Sequence, residues 1–253
     1  MTGRFSTADA RVEHSSRPLP PMIAVVGCDG SGKSTLVSAL AAWLAGFQAT
    51  AVCHLGKQSG NAGRALARLP FFGRQLEASL YTKAKTAETQ AGPDLATAIG
   101  IYAFAIRRAR RFRRMMALRA AGKTIVTDRF PQTEVPGPMD GPGLGNARST
   151  GLTGLLARRE RQAFDAMAAH LPNLVLRLNV SPQVAHQRKP DHRPSSLAIK
   201  TRILSSLTFQ GARIVDIDAE QPPAVVEAQA KAAIAALVPL RHVTAIAPDH
   251  DGQ

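Results

Sequence analysis

Cysteine is nearly absent: Cys28 and Cys53 are the only two in 253 residues. At most one bridge can form, so no disulfide framework holds the chain together and a buried core must do so instead. Aromatic residues make up only 5% of the sequence against 45% hydrophobic residues overall, a composition that suits a helix-rich globular protein. Acidic side chains are scarce as well, 18 against 32 Lys plus Arg, for a formal net charge of +14. Such an excess suits phosphate-bearing partners, whether nucleotides, nucleic acid or an anionic membrane surface, and does not choose among them. No apolar stretch reaches membrane-spanning length, because Arg, Pro or Gly interrupts each apolar window. The N-terminal residues lack the apolar centre of a secretion signal, so the chain reads as cytoplasmic. The seven histidines show no His-x-x-x-His spacing, and the two cysteines no Cys-x-x-Cys, which argues against a structural metal.

What the chain does have is the run Gly27-Cys28-Asp29-Gly30-Ser31-Gly32-Lys33-Ser34-Thr35. It follows the apolar segment Met22 to Val26 and precedes a helix-patterned segment from Leu36 to Phe47, the strand and helix that a phosphate-binding loop requires. Glycines let successive backbone N–H groups converge on a polyphosphate, and the helix presents its positive end. Lys33 adds a mobile charge and Ser34 is placed to ligate Mg²⁺. Gly27, Asp29, Gly30, Ser31, Gly32, Lys33, Ser34 and Thr35 are therefore the candidate ATP-binding residues.

The rest of the pattern is that of one domain over 21–238, preceded by a disordered arm over 1–20 and followed by a flexible tail over 239–253. Strands are expected at Thr50 to Leu55, Thr124 to Thr127, Leu174 to Val180 and Arg213 to Ile217. A loop from Gly56 to Gly60 follows the first of these, and residues 61–90 read as one or two short helices. A long helix is expected from Asp94 to Ala121, ended by Gly122, and helices also over Leu152 to His170, Leu197 to Leu207 and Pro222 to Leu237. Ser181-Pro182 opens a short helix with a cap and a proline at its first position. A Pro/Gly-rich loop runs from Pro131 to Gly145, and a mobile loop from Arg188 to Pro194. Strands separated by helices imply an α/β, three-layer α/β/α fold with a five-stranded parallel sheet, ligands binding beyond the strands' carboxyl ends.

Three charged clusters fall at that edge: Asp29 in the loop, Asp128-Arg129 after a strand, and Arg188 with Arg193 in the Pro-flanked segment. No Asn-Lys-x-Asp guanine signature occurs, which argues against a GTPase. On these residues the chain resembles the thymidylate kinase family of P-loop nucleoside monophosphate kinases, from about residue 22 to 238. The family's Gly-x-Asp/Glu-Gly-x-Gly-Lys-Ser/Thr-Thr loop matches residues 27–35, and its Asp-Arg-Tyr/His/Phe element appears as Asp128-Arg129-Phe130. The resemblance implies transfer of the γ-phosphoryl group of ATP, with Mg²⁺, to a nucleoside monophosphate, dTMP being the first candidate. It assigns Lys33 and Asp128 to catalysis, Ser34 and Asp128 to Mg²⁺, and Asp29, Arg107 and Arg129 to the acceptor. Gly30, the small residue after the loop carboxylate, goes in this family with a catalytic arginine from a small mobile lid over about 186–196, for which Arg188 and Arg193 are the candidates.

On the acceptor side the chain departs from the family. His54-Leu55-Gly56-Lys57-Gln58 stands where an acidic-Pro-Gly-Gly-Thr motif is usual, and Ala103, between Tyr102 and Phe104, stands where an aromatic stacks on thymine. ATP use is thus better supported than thymidylate use, and the acceptor is open to another nucleotide or another phosphorylated small molecule. Arg107, Arg108, Arg110, Arg111, Arg113 and Arg114 also allow a different class, a non-catalytic P-loop module docking on nucleic acid or anionic membrane; the simpler expectation for the five beyond Arg107 is a solvated basic helix face. The sequence leaves a homodimer open.

Overall fold

A computed structural model describes residues 18–56, 93–145 and 150–238. The expected short helices of 61–90, most of the N-terminal arm, the C-terminal tail and Lys57 to Gly60 lie outside the described residues. The first strand, β1 (Met22–Gly27), is buried at all six positions. It is followed by α1 (Lys33–Ala45), β2 (Thr50–His54), α2 (Leu95–Ala120) and β3 (Thr124–Asp128). The second half runs α3 (Gly151–Ala168), β4 (Leu174–Asn179), α4 (Pro182–Arg188), α5 (Pro194–Ser206), β5 (Ile214–Asp218) and α6 (Pro223–Leu237). The five strands form one all-parallel sheet in the order β2-β3-β1-β4-β5.

Alternation along β1 builds the three layers. Successive strand side chains point to opposite faces. Ile23 and Val25 pack with Leu36, Leu40 and Leu44 of α1 and with Val226, Ala230 and Ile234 of α6. Met22, Ala24 and Val26 pack with Phe112 and Met115 of α2 and with Phe164 and Met167 of α3. The central strands are apolar on both faces because both are covered by helices. At the edges, β2 and β5 carry exposed positions, among them Val52 and Asp216.

Two expected helix starts hold, whereas α5 begins at Pro194, three residues before the expected Leu197. Asp94 caps α2, its carboxylate accepting the Thr97 N–H at 2.8 Å, and the Ser181 hydroxyl caps α4 by accepting the Val184 N–H at 3.3 Å, with Pro182 opening the helix. The segment expected as a mobile loop over Arg188 to Pro194 is shorter than that. Arg188 closes α4, Pro194 opens α5, and the intervening turn is held by the His192 N–H on the Lys189 carbonyl at 3.1 Å.

The Pro/Gly-rich stretch from Pro131 to Gly145 has no helix or strand, as expected, yet it is packed. Gln132 is fully buried and donates to the Val135 carbonyl at 2.6 Å, while its Oε1 accepts the Val135 N–H at 2.8 Å. Buried Glu160 of α3 accepts the Gly143 and Leu144 N–H groups at 2.9 and 2.7 Å. Among the described residues, no helix is long and apolar enough to cross a membrane.

Candidate functional site

Strand order decides where the site lies. From β1 the chain crosses to one side through α1 towards β2 and β3, whereas β4 and β5 extend the sheet on the other side. The loop after β1 therefore opens at the reversal point, where parallel sheets leave a crevice. Val25 pairs with Asp128 across β1 and β3, and His54 pairs with Asp128 across β2 and β3. Loop, carboxylate and histidine thus stand on one edge.

Gly30 and Gly32 adopt φ of +86° and +85°, the left-handed region that glycine enters without penalty. Gly32 is the N-cap of α1, which has no side-chain cap and no acidic residue in its first turn; among the described residues, its leading N–H groups meet no carboxylate. Lys33 folds back over the loop, 7% exposed, and donates to the Cys28 carbonyl at 2.6 Å. Burial, followed by repulsion from Arg129, brings its ammonium down to about 8 against the opposing pull of Asp29 and Asp128. Ser34 and Thr35 are exposed at the helix entrance.

Asp29 is the most heavily contested group. Its Oδ1 accepts from Arg129 Nη2 at 2.8 Å, its Oδ2 accepts from the Lys200 ammonium, and His192 Nδ1 lies 3.9 Å away. Burial alone would raise its pKa, but Lys200 and Arg129 overcome this and hold it far below the usual carboxylate range. Arg129 has φ +71°, an unusual backbone state for a side-chain-bearing residue. It spans Asp29 and Asp140, the latter at 3.5 Å from Nη1, and Asp140 is the chief cause of its raised pKa. Asp128 is buried beside this group. One oxygen lies 3.5 Å from His54 Nδ1, and the other, Oδ1, has no hydrogen-bond partner among the described residues. A buried, unsatisfied carboxylate oxygen is costly unless something else occupies its lone pairs.

The residues predicted from sequence divide into two sets. Lys33, Asp29, Asp128 and Arg129 converge at the sheet edge. Arg107 lies exposed on α2, near enough to Arg111 that it and Arg108, after burial, lower the Arg111 pKa. Arg188 donates to the Ala219 carbonyl at 2.8 Å, beyond β5, and the exposed Arg193 side chain has no hydrogen-bonding partner among the described residues.

The arginine helix is not a uniform solvated face. Arg110, Arg113 and Arg114 are exposed, but Arg108 is buried against Asp140, and Arg111 donates to the Gly56 carbonyl at 2.8 Å. The reason is the helical period: Arg108 shares the inward stripe with Ala105, Phe112 and Met115.

Sequence reasoning missed Lys200, Thr201 and Asp140. The first two carried a usable signal, since they stand three and four residues after buried Leu197 and so share its inward face. The Thr201 hydroxyl donates to the Leu197 carbonyl at 2.9 Å beside the Cys28 thiol, whose pKa burial raises against the opposing effect of Thr201; both cysteines are free. Asp140 had no comparable signal, because its position depends on the path of an irregular loop.

The chain is 40% identical over 222 residues to the uncharacterized ATP-binding protein YghR of Escherichia coli strain K12, covering 85% of this chain and 87% of that protein. It is 40% identical over 223 residues to the uncharacterized ATP-binding protein YghS of the same strain, covering 85% of this chain and 93% of that protein. The chain belongs to the YghR/YghS family. No protein-family model matches it. Neither relative's name specifies thymidylate kinase, a kinase activity or a phosphate acceptor. For this YghR/YghS family member the local geometry is therefore the guide to chemistry: a phosphate loop with an uncapped helix, and beside it a carboxylate bridged by two cations.

Proposed function

We propose that this protein is an ATP- and Mg²⁺-dependent phosphotransferase of the thymidylate kinase-like type, moving the γ-phosphoryl group of ATP to a phosphorylated small molecule, with dTMP the first acceptor to try. ATP binding is carried over from the names of YghR and YghS and agrees with the loop around Lys33. The observation that supports transfer to a second anion, rather than to water, is the Asp29–Arg129–Asp140–Arg108 chain. It places the Arg129 guanidinium on Asp29 of the phosphate loop and links it through the Asp140 carboxylate to the Arg108 guanidinium. Two polyanions repel unless cations hold both, and planar guanidinium groups fix a phosphate's direction as well as its charge.

Asp128 and Ser34 suit Mg²⁺, a hard cation that prefers oxygen ligands, and the unpartnered Oδ1 of Asp128 is the feature that fits it. When bound, Mg²⁺ would neutralise charge on the β- and γ-phosphates. Lys33, freed from the Cys28 carbonyl, reaches the same phosphates. Arg129 and Arg108, with Arg107 or Arg111 from the same helix, orient the acceptor phosphate, and Asp29 accepts a hydrogen bond from an acceptor hydroxyl. Arg188 and Arg193 remain the candidates for an arginine that closes from the α4–α5 turn.

Coupled ADP release across a panel of nucleoside monophosphates and phosphorylated sugars tests this. Acceptor-stimulated turnover, lost in Lys33→Ala, is the expected outcome. ATP binding without stimulation by any acceptor would overturn it and favour a non-catalytic module acting through the exposed Arg110, Arg113 and Arg114.

A further inference from the structure

The α4–α5 hairpin rests on the phosphate loop at three points. A Cβ built on Gly30 would stand 2.6 Å from the Ala185 carbonyl oxygen of α4, so helix backbone touches loop backbone. From α5, Thr201 lies beside the Cys28 thiol and Lys200 pairs with Asp29. These are successive loop residues, Cys28, Asp29 and Gly30, and the same loop wraps the donor phosphates. Lys200 is largely enclosed, its side chain 16% exposed. It is an enclosed ammonium aimed at a phosphate loop, and in this state Asp29 takes up its charge.

We propose that Lys200 is a second phosphate-contacting lysine, supplied by α5, which Asp29 holds in reserve and releases to the donor's terminal phosphate when an acceptor hydroxyl takes its place on Asp29. This rests on the reading of the loop as an ATP site. In the transfer, the bond from the γ-phosphorus to an acceptor phosphate oxygen forms as the bond to the β–γ bridging oxygen breaks, and ADP leaves with that electron pair. Lys200 keeps its proton throughout and contributes only charge and hydrogen bonds. Without an acceptor, Asp29 retains Lys200 and the terminal phosphate lacks one cation, which restrains wasteful hydrolysis by water.

A double-mutant cycle on nucleotide affinity separates this role from a merely structural tie. Full-length wild type, Lys200→Ala, Asp29→Asn and the double variant are titrated with a fluorescent non-hydrolysable ATP analogue and Mg²⁺, with thermal unfolding as a folding control. If Lys200 serves only to hold Asp29, its removal costs nothing once Asp29 is Asn. If it contacts phosphate, Lys200→Ala in the Asp29→Asn background weakens binding by about tenfold, the scale of one charged hydrogen bond.

A second measurement reads proximity directly. An ATP derivative acylated on its γ-phosphate transfers its acyl group to amines within reach, and mass spectrometry then maps them. In Asp29→Asn, where Lys200 is released, acylation of both Lys33 and Lys200, blocked by excess ATP, is expected, with Lys200 acylated less in the wild type without acceptor. Acylation of Lys33 with Lys200 untouched in Asp29→Asn, or a neutral Lys200→Ala in that background, overturns the proposal. Absence of any ATP-protected binding in the wild type overturns the ATP reading along with it.

Discussion

Arg108 and Asp140 are 32 residues apart in sequence and joined by two hydrogen bonds, Nη2 to the carboxylate Oδ1 at 2.8 Å and Nη1 to the main-chain carbonyl at 3.0 Å. Both side chains are buried, and Oδ2 of the same carboxylate faces Arg129 at 3.5 Å. One acidic residue in an irregular loop thus links the long helix to the Asp128-Arg129 corner of the site.

Arg108→Met keeps the stem beside Phe164, over whose ring the guanidinium lies at 5.5 Å, but deprives Asp140 of the guanidinium that lies 2.8 Å from its Oδ1. Removing one member of a buried pair costs about 3 kcal/mol, partly offset here by Arg129. Urea unfolding should register a clear loss of stability, and nucleotide turnover should fall further than stability alone explains, because Arg129 loses its anchored counter-ion.

Gly30 and Gly32 have nearly the same φ, +86° and +85°, but different neighbours. A methyl group on Gly32 meets nothing within 4 Å, whereas on Gly30 it meets the Ala185 carbonyl. Gly32→Ala should carry only a backbone penalty of about 1–2 kcal/mol. Gly30→Ala should add a collision that lifts α4 from the loop, and hydrogen exchange over 182–188 should rise in that variant alone.

Lys33 makes nucleotide affinity depend on pH. Its ammonium, brought down to about 8 by burial and Arg129, is the form a polyphosphate favours, so binding must take up a proton wherever the free protein has lost it. Affinity for an ATP analogue should be flat below about pH 8 and fall above it, approaching about tenfold per pH unit. Unliganded stability moves the other way. Between 8 and the ordinary lysine value of 10.5 the unfolded chain holds more protons, so the Lys33 contribution to stability rises with pH. Lys33→Met should remove both dependences.

Asp128 keeps a buried oxygen without a hydrogen-bond partner among the described residues. Asp128→Asn removes the charge with little change in shape. It should leave analogue binding in chelator nearly unchanged while abolishing most of the enhancement by added Mg²⁺; calorimetric titration with and without Mg²⁺ checks this. Equal enhancement in variant and wild type would remove Asp128 from the metal's coordination.

Much of the fold was legible because it depends on short-range pattern. The apolar run Met22 to Val26, the glycines of the loop and the helix start at Asp94 depend on residues within a few positions of themselves, and each appears where the pattern places it. Arg107 and Arg108 are the counter-example. Neighbours in sequence, they fall about 100° apart around a helix, and only the packing of α2 turns the second inward and leaves the first exposed. The turn between α4 and α5 is similar: its prolines were visible, but not that Arg188 would reach the Ala219 carbonyl.

The sequence by itself determined the phosphate loop, the alternation of strands and helices, and the residues placed at strand ends, since these follow from local geometry and the order of the chain. Only the tertiary structure decided which charges meet. Arg129 is 100 residues from Asp29 and Lys200 is 171 from it. Those pairings depend on how the sheet is ordered and how α5 crosses the loop, and no pattern confined to neighbouring residues carries that information.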